Sequence, residues 1–307
     1  MIPAIEMTGK PGGTEAVSEG LKIKKILVAT DFSIFSDRAM EYALAVARRY
    51  RSQIFVTHIL SLDPYAMVTP EIAMASIERL RQNAARHFTE MQKSEKLERV
   101  PYEVVIEEGP FWPTLESVIE KNEIDFIVAG TRGAGAISKL LIGSSAEEIF
   151  RQARVPVLTV GPGVENEPQY EAEFRHILFA TDFGLGADRE AEYAFSLAQQ
   201  HHSKLTVLHV IAPQHELSAE AVEMKKRAAT QQMRELIPAT TKYLCWPQFR
   251  ATTGDAVEEI LRVAKESKAD LIIMGAKRMK AMADHKPHTT AYRIVTASTC
   301  PVLTIRS

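Results

Sequence analysis

Cysteine is scarce in this sequence. Cys245 and Cys300 are the only two among 307 residues, and both fall in the second half. That excludes a disulfide framework and fits a reducing, cytoplasmic setting. Each thiol reads as a small buried apolar group. Net charge is nearly absent as well, at -2 with 25% charged residues. The chain therefore lacks the positive field that nucleic acid or an anionic membrane surface requires. It has no run of eighteen apolar residues, so no transmembrane helix is expected. The opening stretch MIPAIEMTGKPGGTEAVSEG has no basic segment followed by an apolar core. It reads as a flexible tail over residues 1–22, not as a signal peptide. What remains, with 46% hydrophobic residues, is an ordinary globular composition at a length that suits two domains.

The chain is a repeat. KKILVATDFS from Lys24 recurs as RHILFATDFG from Arg175, so that Asp31 matches Asp182 and His58 matches His209, both 151 residues apart. Gly109 matches Gly254, Gly130 matches Gly275 and Pro156 matches Pro301, all 145 apart. The register changes once, by six residues, inside an interval that reads as a long helix. A register this constant signals two copies of one domain. The expected units are 23–162 and 175–307, joined by a Pro-, Gly- and acid-rich linker over 163–174.

Within one copy, short buried strands alternate with amphipathic helices. KILVAT, SQIFVTHIL, YEVVIEE, IDFIVAG and VPVLTV read as strands. SDRAMEYALAVARRYR reads as a helix that Ser36 could cap, and Pro70 stands at the first position of a long helix. This alternation predicts an α/β fold: two tandem, doubly wound, Rossmann-like parallel sheets with helices on both faces. Ligands of such sheets sit beyond the carboxyl ends of the strands, where the strand order reverses. If the first and fourth strands are neighbours there, Asp31 and Gly130 face one crevice.

GTRGAGAISKLLIGSSAEEIF begins at Gly130 and contains four glycines before an amphipathic run. Neither G-x-G-x-x-G nor G-x-x-x-x-G-K-[ST] occurs. The spacing present is G-x2-G-x9-G-S, made by Gly130, Gly133, Gly143 and Ser144. Glycines let backbone N–H groups approach a phosphate or ribose closely, and a following helix start favours an anion. Ser144 and Ser145 add hydroxyls, Arg132 and Lys139 are candidate phosphate counter-charges, and Asp31 can accept a hydrogen bond from a base. Each residue also has a structural reading. SSAEE is a capping box, with Ser144 paired to Glu147 or Ser145 to Glu148. Asp31 can close its own turn, Gly135 can serve loop flexibility, Arg132 and Lys139 can be solvated, and His58 reads as a hydrogen-bonded structural histidine.

The glycine spacing, the ATDFS stretch and the tandem repeat together resemble the universal stress protein family from Lys24 to Arg306. The resemblance implies ATP in the first copy, with Mg²⁺ held mainly by phosphates and water. The nucleotide site would then comprise Ala29, Thr30, Asp31, Ile59, Gly130, Arg132, Gly133, Gly143, Ser144 and Ser145. It also implies an internal pseudo-dimer of the two copies, with further pairing of two chains left open. The second copy keeps Asp182 and Gly275 but has Arg278 and His288 where Gly133 and Gly143 stand, with Thr289 at the place of Ser144. Side chains there obstruct close approach, so the second copy reads as a degenerate partner. A side-chain anion site on its basic loop, or a metal cluster of Asp284, His285 and His288, are the alternatives. No P-loop lysine, no paired carboxylates and no nucleophile–base set is evident. The expectation is a nucleotide-binding stress-response regulator without catalytic or metal-ligating residues. The alternatives are an interaction module without nucleotide, or a slow ATPase.

Overall fold

The computed structural model describes residues 21–61, 69–93, 97–131, 142–164, 168, 170–213, 218–239, 241, 246–276 and 289–306. The first half runs β1 (Lys25–Ala29), α1 (Ile34–Tyr50), β2 (Gln53–Leu60), α2 (Pro70–Lys93), β3 (Tyr102–Glu108), α3 (Phe111–Lys121), β4 (Phe126–Gly130), α4 (Ser144–Gln152) and β5 (Val157–Val160). The second runs β6 (His176–Ala180), α5 (Ala187–Gln200), β7 (Lys204–Ile211), α6 (Ala219–Glu235), β8 (Gln248–Thr253), α7 (Ala256–Ser267), β9 (Leu271–Gly275), α8 (Thr290–Ala297) and β10 (Val302–Ile305).

All strands belong to one sheet, in the order β3-β2-β1-β4-β5-β10-β9-β6-β7-β8. Neighbours within each half are parallel, with a helix on every crossover, as the alternation requires. The halves join through an antiparallel pair, β5 with β10, in which Leu303 lies opposite Leu158. The strand order reverses between β1 and β4 and again between β6 and β9, giving each half a crevice at its switch point.

Local chemistry accounts for the element boundaries. The apolar spacing of α1 buries Ala39, Met40, Ala43, Leu44, Val46 and Ala47 against the sheet. Ser33, not Ser36, is its N-cap: Ser33 Oγ accepts from the Ser36 N–H at 3.3 Å. Ser36 is buried inside the first turn, where its hydroxyl donates to Ser33 O. The helix ends at Arg51 in the left-handed conformation, with the Arg51 N–H returned to Ala47 O. Pro70 opens α2 as expected, and α2 has 24 residues against 17 in α6, which is where the repeat changes register. Gly109 and Gly254 take φ of 148° and 155° at equivalent strand-to-helix turns, a conformation that L side chains rarely adopt.

One face of the sheet carries a single core. The α1 and α5 side chains pack with Val28, Leu158, Phe179 and Leu303 in one cluster spanning both halves. The opposite face carries two cores, one around Leu115, Ile127 and Ile149 and the other around Ile260, Ile272 and Val295. Ile142 and Phe150 belong to the first half by sequence but pack in the core of the second. Arg306, which is buried, donates to the carbonyls of Phe150 and Arg151 at the end of α4.

The carboxyl ends of α1 and α5 meet across the pseudo-twofold axis. The equivalent residues Tyr50 and His201 touch there, Oη to Nε2, at 2.9 Å. The Phe174 N–H donates to His201 Nδ1 at 3.4 Å, which assigns the other ring proton to Nε2. Tyr50 then donates to Gln200 Oε1 at 3.2 Å. Burial, reinforced by the Arg49 charge, pushes the His201 pKa down from 6.5 to about 4. The unfolded chain therefore takes up this proton before the folded one does. The contribution of His201 to stability is intact above about pH 6.5 and is lost as pH falls toward about 4. Urea titrations across that window should show a loss of about 2 kcal/mol from this group, discounted for its partial exposure. His201→Gln should flatten that part of the profile. An unchanged profile in the variant would assign the acid sensitivity to other groups.

Candidate functional site

The first crevice begins at the end of β1. Ala29 pairs with Thr57 of β2, and the Thr30 N–H continues the ladder to Thr57 O at 2.9 Å. Thr30 Oγ1 accepts from the Phe32 N–H at 3.0 Å and donates to Ser36 Oγ at 3.1 Å. Asp31 is exposed at the crevice. Its Oδ1 accepts from the Ser33 N–H at 3.1 Å and from the Ser33 hydroxyl at 2.6 Å. Asp31 thus closes its own turn, an Asx turn.

Phe32 occupies the left-handed region at φ 61°, an unfavourable position for a bulky side chain. Ring packing holds it there: the His58 ring is 4.6 Å away, the His87 ring stacks at 4.5 Å and Phe88 meets it edge-on at 5.1 Å. His58 donates Nδ1–H to Thr30 O at 2.7 Å, which makes it the structural histidine expected. The second half repeats the device. Phe183 has φ 56°, its ring lies 4.4 Å from that of His209, and His209 Nδ1–H donates to Thr181 O at 2.9 Å. The aligned phenylalanines were visible in the sequence, but their backbone role was not. Ile59, one residue beyond His58, is half-buried opposite Glu107 of β3.

Gly130 ends β4 next to β1. A Cβ there would lie 2.6 Å from Phe35 O and 3.0 Å from the Phe35 carbonyl carbon. Glycine at this position lets the chain's own first helical turn sit on the strand. Thr131 follows; its N–H donates to Val160 O and its carbonyl accepts from the Gly143 N–H at 2.8 Å. The two ends of the glycine-rich segment are therefore pinned together. Thr131 is 1% exposed, and among the described residues its hydroxyl has no hydrogen-bond partner. Such an orphaned group costs about 1–3 kcal/mol, and nothing in the sequence marks it. Arg132, Gly133, Gly135 and Lys139 lie outside the described residues.

The capping box is not what starts α4. Gly143 is the N-cap, at φ -64° and ψ 151°, with no side-chain cap bond. Ser144 and Ser145 are the first two helical residues and both are exposed. The tie from Gly143 to Thr131 begins the helix one residue before Ser144 can take the cap position. The second half differs here. Thr289 caps α8, its Oγ1 accepting from the Tyr292 N–H at 3.3 Å. Gly275 also ends β9, but a Cβ there would collide with the Glu190 carboxylate and not with backbone. Ala276 stands where Thr131 does in the first half. Arg278, Asp284, His285 and His288 lie outside the described residues. Among the described residues no cluster of His, Cys, Asp or Glu could hold a metal ion, and no helix is long and apolar enough to cross a membrane.

The profile of the universal stress protein family matches residues 22–161 and again 173–306. Universal stress protein MJ0531 of Methanocaldococcus jannaschii is 28% identical over 148 residues, covering 45% of this chain and 81% of its own length. Universal stress protein Rv2005c of Mycobacterium tuberculosis is 22% identical over 307 residues, covering 94% of this chain and 99% of its own. The crystal structure of a universal stress protein from Archaeoglobus fulgidus superposes with a TM-score of 0.69 at 21% identity, over 93% of this chain and 99% of that one, and is alike in fold. Two doubly wound halves, each with a switch-point crevice and fused through their last strands, define a tandem Rossmann-like pseudo-dimer. The chain belongs to the universal stress protein family.

The packing role of Gly130 can be separated from any ligand role. Gly130→Ala should destabilise the nucleotide-free protein by about 1–3 kcal/mol, because the new methyl meets backbone that must shift. Chemical denaturation without nucleotide measures this. An unchanged midpoint would leave ligand approach as the reason for the glycine.

Proposed function

We propose that this chain is an ATP-binding stress-response regulator of the cytoplasm, with one nucleotide site in its first half. Residues 23–162 form the binding unit, and residues 175–307 form a degenerate copy that serves as its built-in dimer partner, with 163–174 as linker. Ala29, Thr30, Asp31 and Ile59 form the base and ribose side of the site. Gly130, Arg132, Gly133, Gly143, Ser144 and Ser145 form the phosphate side. Mg²⁺ would be carried by the phosphates and water.

The start of α4 carries this reading. Its cap residue is a glycine without a side-chain bond, so backbone N–H groups and the helix dipole remain for an anion. In the second half the corresponding amide is taken by the chain's own Thr289. The orphaned Thr131 hydroxyl beside Gly143 adds a second group suited to a polar ligand. Occupancy would act by differential affinity for two states of the protein.

Nucleotide extracted from denatured, purified protein should amount to one per chain. In calorimetric titration, a Gly133→Arg, Gly143→His variant, which imports the residues of the second half, should lose ATP binding. Thr131→Val should weaken ATP about fivefold, equivalent to about 1 kcal/mol, and should stabilise the nucleotide-free protein by a similar amount. Equal affinity in all three proteins, or two nucleotides per chain, would overturn the assignment. A turnover assay on the same samples separates a binder from a slow ATPase.

A further inference from the structure

The helix α4 begins in the first half and is held by the second. Its first intrahelical bond runs from the Glu147 N–H to Gly143 O at 2.8 Å. The amides of residues 144–146 are therefore those that this helix start can offer an anion. The two amides before them are already fixed. The Gly143 N–H goes to Thr131 O, within the first half. The Ile142 N–H crosses to the second half and donates to the Tyr292 hydroxyl of α8 at 3.2 Å. Ile142 and Tyr292 are both buried. The Tyr292 ring meets Phe150 edge-on, with centroids 6.5 Å apart. Ala146 packs against the same core of the second half. At the other end of α4, the Arg306 guanidinium holds the carbonyls of Phe150 and Arg151, where a cation suits the helix dipole.

This hold runs one way. The equivalent of Tyr292 is Glu147, which pairs with Arg151 on its own helix at 3.5 Å. The equivalent of Arg306 is Gly161. A Cβ at Gly161 would lie 2.7 Å from Val295 O, so backbone and not a side chain packs against the end of α8. At its start, α8 is capped by its own Thr289.

We propose that Tyr292 is a positioning residue for the phosphate end of the first-half site. By fixing the Ile142 amide it sets the start of α4, so that nucleotide occupancy and the contact between the halves are coupled. This inference rests on the nucleotide reading above. The coupling is reciprocal: a phosphate that steadies the start of α4 also steadies the Tyr292 contact in the second half.

The test compares ATP with adenosine, which lacks the phosphates, by calorimetric titration of the full chain. Tyr292→Phe keeps the ring and removes only the acceptor. It should weaken ATP about fivefold and leave adenosine unchanged, with circular dichroism and melting confirming the fold. A general loosening of the first half would weaken both ligands alike. In the wild type, ATP should slow amide hydrogen exchange in peptides from α4 and α8 and leave α6 unchanged. Where the variant folds poorly or adenosine binds too weakly to measure, the exchange experiment on the wild type decides alone. ATP bound equally by wild type and folded variant, a parallel loss of both ligands, or ATP protection confined to the first half would overturn the proposal and leave the nucleotide reading standing. A wild type that does not bind ATP would overturn both.

Discussion

The architecture depends on the antiparallel pairing of β5 with β10. Each half ends in a four-residue strand at the border of its own sheet. An edge of this kind presents unpaired backbone groups. Pairing the two borders satisfies them together and brings Leu158 and Leu303, each 1% exposed, into one core. Other contacts between the halves sit around this seam: Tyr50 on His201, Arg306 on the carbonyls of α4, and the Ile142 N–H on the Tyr292 hydroxyl. Fusion in one chain holds the two borders at high effective concentration.

Fusion also frees the copies from being identical. The Thr-Asp-Phe turn, the histidine behind it and the glycine ending the fourth strand are kept in both halves. These are the parts that hold a strand end against a helix start. What differs is what faces the crevice. The first half has an uncapped helix start and an orphaned hydroxyl; the second has a self-capped helix. The helix α4 belongs to both settings. It begins at Gly143 beside the first crevice, and its Phe150 forms a wall of the second.

Much of the fold was legible in advance because its signals are local. Buried β-branched runs, helical spacing, Pro70 and the repeated glycines depend on residues close in sequence. Less of the candidate site was legible. Ser36 and Ser144 both looked like caps, yet long-range or turn contacts moved the caps to Ser33 and Gly143. Gly130 read as a glycine kept for a ligand, and the structure adds a second reason for it, the backbone of Phe35 lying where a Cβ would be. Ala276 in place of Thr131 was readable as a substitution, but its meaning depends on burial, which propensity does not report.

The sequence alone determined two copies of one βα unit and the order of their elements. Those follow from periodicity and from a constant register between the copies. The tertiary structure alone decided that α4 reaches into the other half's core and that its Phe150 lines the second crevice. Each of those is a contact between residues about 150 positions apart, and no local preference encodes which distant surface a side chain will meet.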